Sequence, residues 1–203
     1  MTRTTPVQRH DLHTGPSDPR QAKRRRLVWR LATAIVVTAV LGIALLWSPA
    51  PDQQETHAAA PDFTLSRTDG STITLSDLRP GPVILYFNEG AGCASCTVQM
   101  AAIEKHPGFE EAGITVLPIV MNTAEQITPD MAQFGVTTPY LLDNGIVSEA
   151  YDVLDKGMHP GLPGHGFVLI DGEGIQRWYG NYPSMWLEPE ELLDVSTEIL
   201  GLS

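Results

Sequence analysis

Residues 83–96 read Val-Ile-Leu-Tyr-Phe-Asn-Glu-Gly-Ala-Gly-Cys-Ala-Ser-Cys. The first five residues form an unbroken apolar run, the pattern of a strand buried on both faces. Asn88 to Gly92 is a glycine-rich loop. A helix is predicted from about Cys93 to Lys105, ending before Pro107-Gly108. Cys93 and Cys96 are the two cysteines of the chain, three positions apart at this strand-to-helix junction. A helix N-terminus stabilises an anion, and the thiolate is the nucleophile of disulfide exchange.

Working outward, Phe63 and Leu65, then Ile73 and Leu75, alternate with polar residues around Asp69-Gly70, which predicts a hairpin. Arg79-Pro80-Gly81-Pro82 is a turn. Ile114 to Met121 is a second buried strand. Thr123 to Gln133 reads as a helix broken at Pro129, Pro139 to Leu142 as a short strand, and Val147 to Leu154 as a short helix. Phe167–Ile170 and Ile175–Tyr179 flank Asp171-Gly172-Glu173-Gly174 as a second hairpin. Pro189 to Leu200 closes the chain as an amphipathic helix. Early strand–helix alternation implies parallel strands, and the late hairpin adds antiparallel pairing. The fold class is therefore α/β, a three-layer domain over residues 61–203 with a mixed central sheet and an N-terminal β-hairpin extension.

The chain of 203 residues has a formal net charge of −11, unevenly spread. Residues 1–30 carry eight Lys and Arg against two Asp, whereas residues 61–203 carry five basic and 20 acidic side chains. An acidic domain repels phosphates, which excludes nucleic acid as a partner. Between these regions Leu31 to Trp47 holds no charged residue. Extended to Leu27, it reads as a single membrane-spanning signal anchor over 27–47. Lys23, Arg24, Arg25, Arg26 and Arg30 keep the N-terminal side in the cytoplasm, so the C-terminal domain is expected outside it. A cleaved leader is the other reading. Ala58-Ala59-Ala60 lies far beyond the apolar run and precedes Pro61, so the expectation is an uncleaved anchor. Residues 1–26 read as a disordered basic tail near anionic lipid, and 48–60 as a flexible tether.

Cys93 is the expected attacking thiol, because orphan N–H groups at a helix start point toward its sulfur. Cys96, nearly one turn further in, can reach back and resolve a mixed disulfide. A purely structural bridge between such close residues removes little chain entropy. A zinc site takes four ligands and the chain has no second C-x-x-C beside this pair, so neither metal nor cofactor is expected. Glu89 is a loop carboxylate that either opposes the Cys93 thiolate or accepts its proton. His165 is a loop histidine at a strand start, placed to stabilise a thiolate as imidazolium or to relay protons as a neutral ring. His159 and His106 read as surface residues.

The stretch PDFTLSRTDGSTITLSDLRPGPVILYFNEGAGCASC (61–96), with YLLDNGIVSEAYDV (140–153) and GFVLIDGEG (166–174), resembles the redoxin superfamily. That superfamily comprises the alkyl hydroperoxide reductase/thiol-specific antioxidant proteins and the membrane-anchored thioredoxin-like reductases. The resemblance implies a thioredoxin-like fold and two branches of activity. In the peroxiredoxin branch, P-x-x-x-T-x-x-C places the peroxidatic cysteine at Cys96. Here Glu89 stands at the proline, Cys93 at the threonine, and Gly164 where a supporting arginine belongs. The thiol-disulfide oxidoreductase branch shows Cys in place of that threonine. It also implies a cis-proline three residues before Phe167. Pro163 stands four before, and the glycine-rich loop 161–166 is expected to absorb the shift. Thioredoxins usually carry Trp before the first cysteine, and Gly92 is there.

The expectation is therefore a membrane-anchored extracytoplasmic thiol-disulfide oxidoreductase, with Cys93 attacking and Cys96 resolving. Its partners would be protein disulfide or dithiol substrates and a membrane or extracytoplasmic dithiol donor. A peroxidase using Cys96, and a non-enzymatic copper or thiol carrier using Cys93, Cys96 and His165, are the alternatives. Redox direction is open, since about 30 mV corresponds to only about 1.4 kcal/mol.

Overall fold

In the computed structural model, residues 29–38 and 50–202 are described. Residues 29–38 belong to a helix, α1. The tail 1–26 and most of the anticipated anchor 27–47 lie outside the described residues. Among the described residues no helix is long and apolar enough to cross a membrane. The unit from Pro49 onward is the α/β domain.

It holds eight strands in one sheet. They are β1 (Asp52–Glu55), β2 (Thr64–Arg67), β3 (Thr72–Thr74), β4 (Val83–Phe87), β5 (Thr115–Val120), β6 (Leu141–Leu142), β7 (Gly166–Ile170) and β8 (Gln176–Asn181). Their spatial order is β1-β8-β7-β4-β5-β6-β2-β3. Strands β4, β5 and β6 run parallel, while β7 pairs antiparallel with β4 and with β8. The hairpin β2–β3, in register Leu65↔Ile73, joins the β6 edge. The helices are α2 (Ala94–Glu104), α3 (Gly108–Glu111), α4 (Ala124–Phe134), α5 (Ile146–Ala150) and α6 (Pro189–Leu200), with a 3-10 turn at Leu75–Leu78.

Every residue of β4 is buried, as its continuous apolar run requires. Successive side chains alternate between two cores. Ile84 and Tyr86 join Phe167, Leu169, Met100, Ile103, Phe109, Ile127, Met131 and Leu192, under α2, α3, α4 and α6. Val83, Leu85 and Phe87 join Val168, Ile170, Leu75, Val147 and Tyr151, under α5 and the 3-10 turn. Each fully buried large aliphatic or aromatic side chain contributes roughly 1.5–3 kcal/mol of transfer free energy. The β7–β4–β5 centre is therefore the rigid base from which the cysteine loop projects.

Three expectations are corrected. Within the expected tether 48–60, the described residues are not free: Asp52–Glu55 pairs antiparallel with β8 from Asp52↔Asn181 to Glu55↔Trp178. The pairing continues through Thr56 N–H to Arg177 O at 3.0 Å and Gln176 N–H to Ala58 O at 2.9 Å. All four side chains of β1 are exposed, so the strand is held by main-chain bonds and leaves no apolar alternation. Helix α4 is not broken at Pro129 but runs through it. Proline there removes one intrahelical donor near the helix start. The turn is secured by Thr123 N–H donating to Gln126 Oε1 at 2.9 Å, and the apolar face by burial of Ile127 and Met131. The short helix predicted over Val147–Leu154 ends earlier, at Ala150.

Candidate redox site

The loop after β4 is built to present Cys93. Asn88 Oδ1 accepts the Gly90 N–H at 3.1 Å, and Asn122 Oδ1 accepts the Ala91 N–H at 2.9 Å. Gly90 has φ +79°, and a Cβ there would collide with the Asn122 side chain. A turn then closes with Cys93 N–H donating to Gly90 O at 3.0 Å. Cys93 is the N-cap of α2, and its sulfur accepts the Cys96 N–H at 3.3 Å. One of the orphan donors of the helix start thus points at Cys93 Sγ, as the position predicts.

Cys93 and Cys96 are joined in a disulfide, with Cα atoms 5.3 Å apart. Cys93 is partly exposed and Cys96 is fully buried. An incoming reagent therefore meets Cys93 first. A carboxylate also approaches: Asp130 Oδ2, on α4, accepts the Gly92 N–H at 2.8 Å. Its charge opposes a thiolate at the neighbouring position.

His165 comes within reach of the dithiol through Tyr86. The Tyr86 hydroxyl donates to Cys96 O at 3.1 Å, and His165 Nδ1 lies 3.2 Å from the same hydroxyl. His165 Nε2 is 3.4 Å from Gln99 Oε1, which also accepts the Leu187 N–H at 2.8 Å. His165 is only 1% exposed, and burial pushes its pKa down to about 4. Of the two expected roles, the neutral ring is the one these surroundings favour, because the low dielectric disfavours an imidazolium charge. Burial also pushes the Tyr86 phenol well above its ordinary value, so it stays protonated. No formal charge underlies Cys96 from this side.

Glu89 spends its carboxylate on partners other than the sulfurs. It is 5% exposed, and both its oxygens are engaged. Oε1 accepts the Met158 N–H at 3.0 Å, and Oε2 lies 2.7 Å from His159 Nδ1. Its work is to fasten a loop far along the chain, at Met158 and His159. His159, read as a surface residue, is exposed as expected and supplies the ring that meets this carboxylate.

Pro163 is not the cis-proline of the expectation. Among the described residues the cis peptide bond is Arg79–Pro80. Pro163 instead bridges Leu154 in extended backbone, and Gly164 N–H donates to Val153 O at 3.3 Å. At Gly164 a Cβ would lie 2.5 Å from Asn181 Oδ1 and 2.8 Å from the Lys156 carbonyl carbon and oxygen. No arginine side chain fits at that position.

Tyr86, Gln99 and Asp130 escaped the sequence reading. Tyr86 carried a signal: a phenol in a strand buried on both faces must find a polar partner. For Gln99 and Asp130 no local signal exists.

Comparison with known proteins agrees with this geometry. Thiol-disulfide oxidoreductase ResA of Bacillus thuringiensis (strain Al Hakam) is 24% identical over 170 residues, 82% of this chain and 95% of that protein. Chloroplastic peroxiredoxin Q of Oryza sativa subsp. japonica is 26% identical over 144 residues, 70% of this chain. The chain covers 65% of that relative's own length. In three dimensions the thioredoxin domain of a thiol-disulfide oxidoreductase from Bacteroides vulgatus superposes with a TM-score of 0.56 at 20% identity, covering 72% of this chain and 99% of that one. The fold is thus thioredoxin-like. Residues 56–178, which include both cysteines, β4 and the start of α2, match the AhpC/TSA family, and the chain belongs to it.

Proposed function

We propose that this protein is a thiol-disulfide oxidoreductase, held at the cell membrane by residues 27–47 with its dithiol on the extracytoplasmic side. One observation carries the chemistry: a partly exposed Cys93 at a helix N-cap, bonded to a fully buried Cys96. In the reducing direction the Cys93 thiolate attacks one sulfur of a partner disulfide. The partner's S–S bond breaks, a mixed disulfide forms, and the partner's other sulfur leaves as a thiolate and takes up a proton. Cys96, deprotonated, then attacks Cys93 Sγ. This forms the 93–96 disulfide and releases the second partner sulfur as a thiolate. Two electrons pass to the partner, and an extracytoplasmic dithiol donor returns them. Asymmetric burial sets the order of events, since a buried thiol is shielded until its neighbour has reacted. The copy of the arginine position at Gly164 that cannot hold a side chain argues against a peroxide pocket.

The test uses the full chain in detergent, reduced and then offered insulin disulfide, hydrogen peroxide and Cu(I) in turn. Cys93→Ser should abolish insulin reduction. Cys96→Ser should accumulate a mixed disulfide through Cys93, visible by mass spectrometry. Fast peroxide consumption that survives Cys93→Ser but is lost in Cys96→Ser would replace this proposal with a peroxidase. Tight Cu(I) uptake without disulfide turnover would replace it with a carrier. For location, a C-terminal alkaline phosphatase fusion should be active; an inactive, stable fusion refutes extracytoplasmic placement.

A further inference from the structure

The dithiol chemistry leaves unused a loop, residues 155–162, that Glu89 and Asn181 clamp. The loop is closed at its base, where Asp155 N–H donates to Leu162 O at 3.0 Å. Inside, Gly161 N–H donates to Asp155 Oδ1 at 2.6 Å and Leu162 N–H to His159 O at 3.3 Å. From outside, Asn181 Nδ2 donates to Lys156 O at 3.0 Å. Glu89 takes the Met158 N–H and the His159 ring, as described. At Gly157 a Cβ would come 2.5 Å from Glu89 Oε1 and 3.0 Å from Gly164 Cα, so the loop is packed tight on that side.

All this order holds a tip that adds nothing to the core. Met158 is 71% exposed. A nearly buried carboxylate costs several kcal/mol in desolvation unless it is paired and hydrogen-bonded. Here both its oxygens are used to fix the backbone beneath an exposed thioether. Methionine is the adaptable apolar side chain favoured on surfaces that accept varied partners.

The loop also lies within reach of the reaction. The turn that bonds Cys93 to Gly90 O keeps those two Cα atoms within about 7 Å. Glu89 precedes Gly90, so its Cα is within about 11 Å of that of Cys93. A partner cysteine bonded to Cys93 places its own Cα about 5.5–6 Å away. The Glu89 side chain and its 3.0 Å bond to the Met158 N–H add roughly 8 Å, so the loop lies within about 19 Å of the Cys93 Cα. Four extended residues of the partner, roughly 13 Å, added to the about 6 Å across the disulfide, cover that distance.

We infer that loop 155–162 is the surface on which a polypeptide substrate rests while its cysteine is bonded to Cys93. Met158 contacts an apolar side chain within about four residues of that cysteine, and Glu89 is the positioning residue that holds the loop. The inference rests on the oxidoreductase reading.

The experiment measures kcat and KM of the full chain with two oxidised substrates, insulin and glutathione disulfide. The readout is the ratio of their kcat/KM values. Met158→Asp should lower that ratio about tenfold, mainly through KM for insulin, and Met158→Leu should restore it. Glu89→Gln, with Met158 intact, should lower the ratio in the same sense. Ile146→Asp, at a residue 68% exposed on α5, controls for a general surface charge effect and should leave the ratio at the wild-type value. A ratio within twofold of wild type in both Met158→Asp and Glu89→Gln, with glutathione disulfide still turned over, overturns the loop inference alone. A wild-type chain that turns over neither substrate overturns the oxidoreductase reading and this inference with it.

Discussion

Acidification should weaken this domain through His165, in a window that its carboxylates do not share. The folded ring has a pKa of about 4 because burial disfavours the cation, against a model value of 6.5. In the unfolded chain the ring charges as pH falls through about 6.5, while in the folded chain it stays neutral until about 4. The unfolded state therefore binds more protons in between, and stability falls as pH drops. Stability is fully present above pH 6.5 and is progressively lost down to about 4. A shift of this size is worth about 3 kcal/mol. For a chain of this length that is a fall of roughly 6–12 °C in Tm. Asp62, Glu104 and Asp171 also have depressed values, but their stability is lost only below their ordinary pKa values, at lower pH. The window from 6.5 to 4.5 isolates the histidine. The assay is urea unfolding by circular dichroism at half-unit steps from pH 7.5 to 4.5, on wild type and His165→Asn. The wild type should show the slope, and the variant should lose most of it. Equal slopes in the two proteins would refute the argument that His165 is the buried neutral base.

Two further outcomes follow from the site. Gly164→Ala places a methyl against the Lys156 carbonyl and Asn181. It should cost about 1–3 kcal/mol, measured as a lower urea midpoint, and a variant of wild-type stability would show that the loop yields freely. Asp130→Asn removes the carboxylate that accepts the Gly92 N–H. It should lower the thiol pKa of reduced Cys93 by a few tenths to one unit, read from the pH dependence of iodoacetamide alkylation; an unchanged or raised pKa would contradict the charge argument.

The parts legible in the sequence were those whose cause is local. The apolar run Val83–Phe87 announces β4 because a doubly buried strand has no polar face. Pro189 as the first residue of α6 marks the helix start, and Gly201, with φ +67°, closes it. The placing of Cys93 at a helix start followed from the strand-loop-helix pattern alone. What escaped depends on partners far along the chain. Glu89 and His159 are 70 positions apart, and nothing near either residue signals the pair. The neutrality of His165 arises from the walls around it, which β4, α2 and β7 assemble together. Strand β1 was hidden for a different reason. Its four residues are all exposed, so pairing through the backbone left no trace in residue type.

That strand has a mechanical consequence. Asp52–Glu55 is the first element of the sheet, laid antiparallel along β8 with its leading residue opposite Asn181. A pull on the chain from its N-terminal side loads the rung at Asp52 first. The ladder then opens one rung at a time, as a zipper does, instead of shearing all at once. Because no β1 side chain is embedded in the core, such peeling would sacrifice main-chain bonds while sparing the packing that holds the two sulfurs. The first strand thus serves as a fuse, yielding to traction before the central strands β7 and β4 are pulled apart.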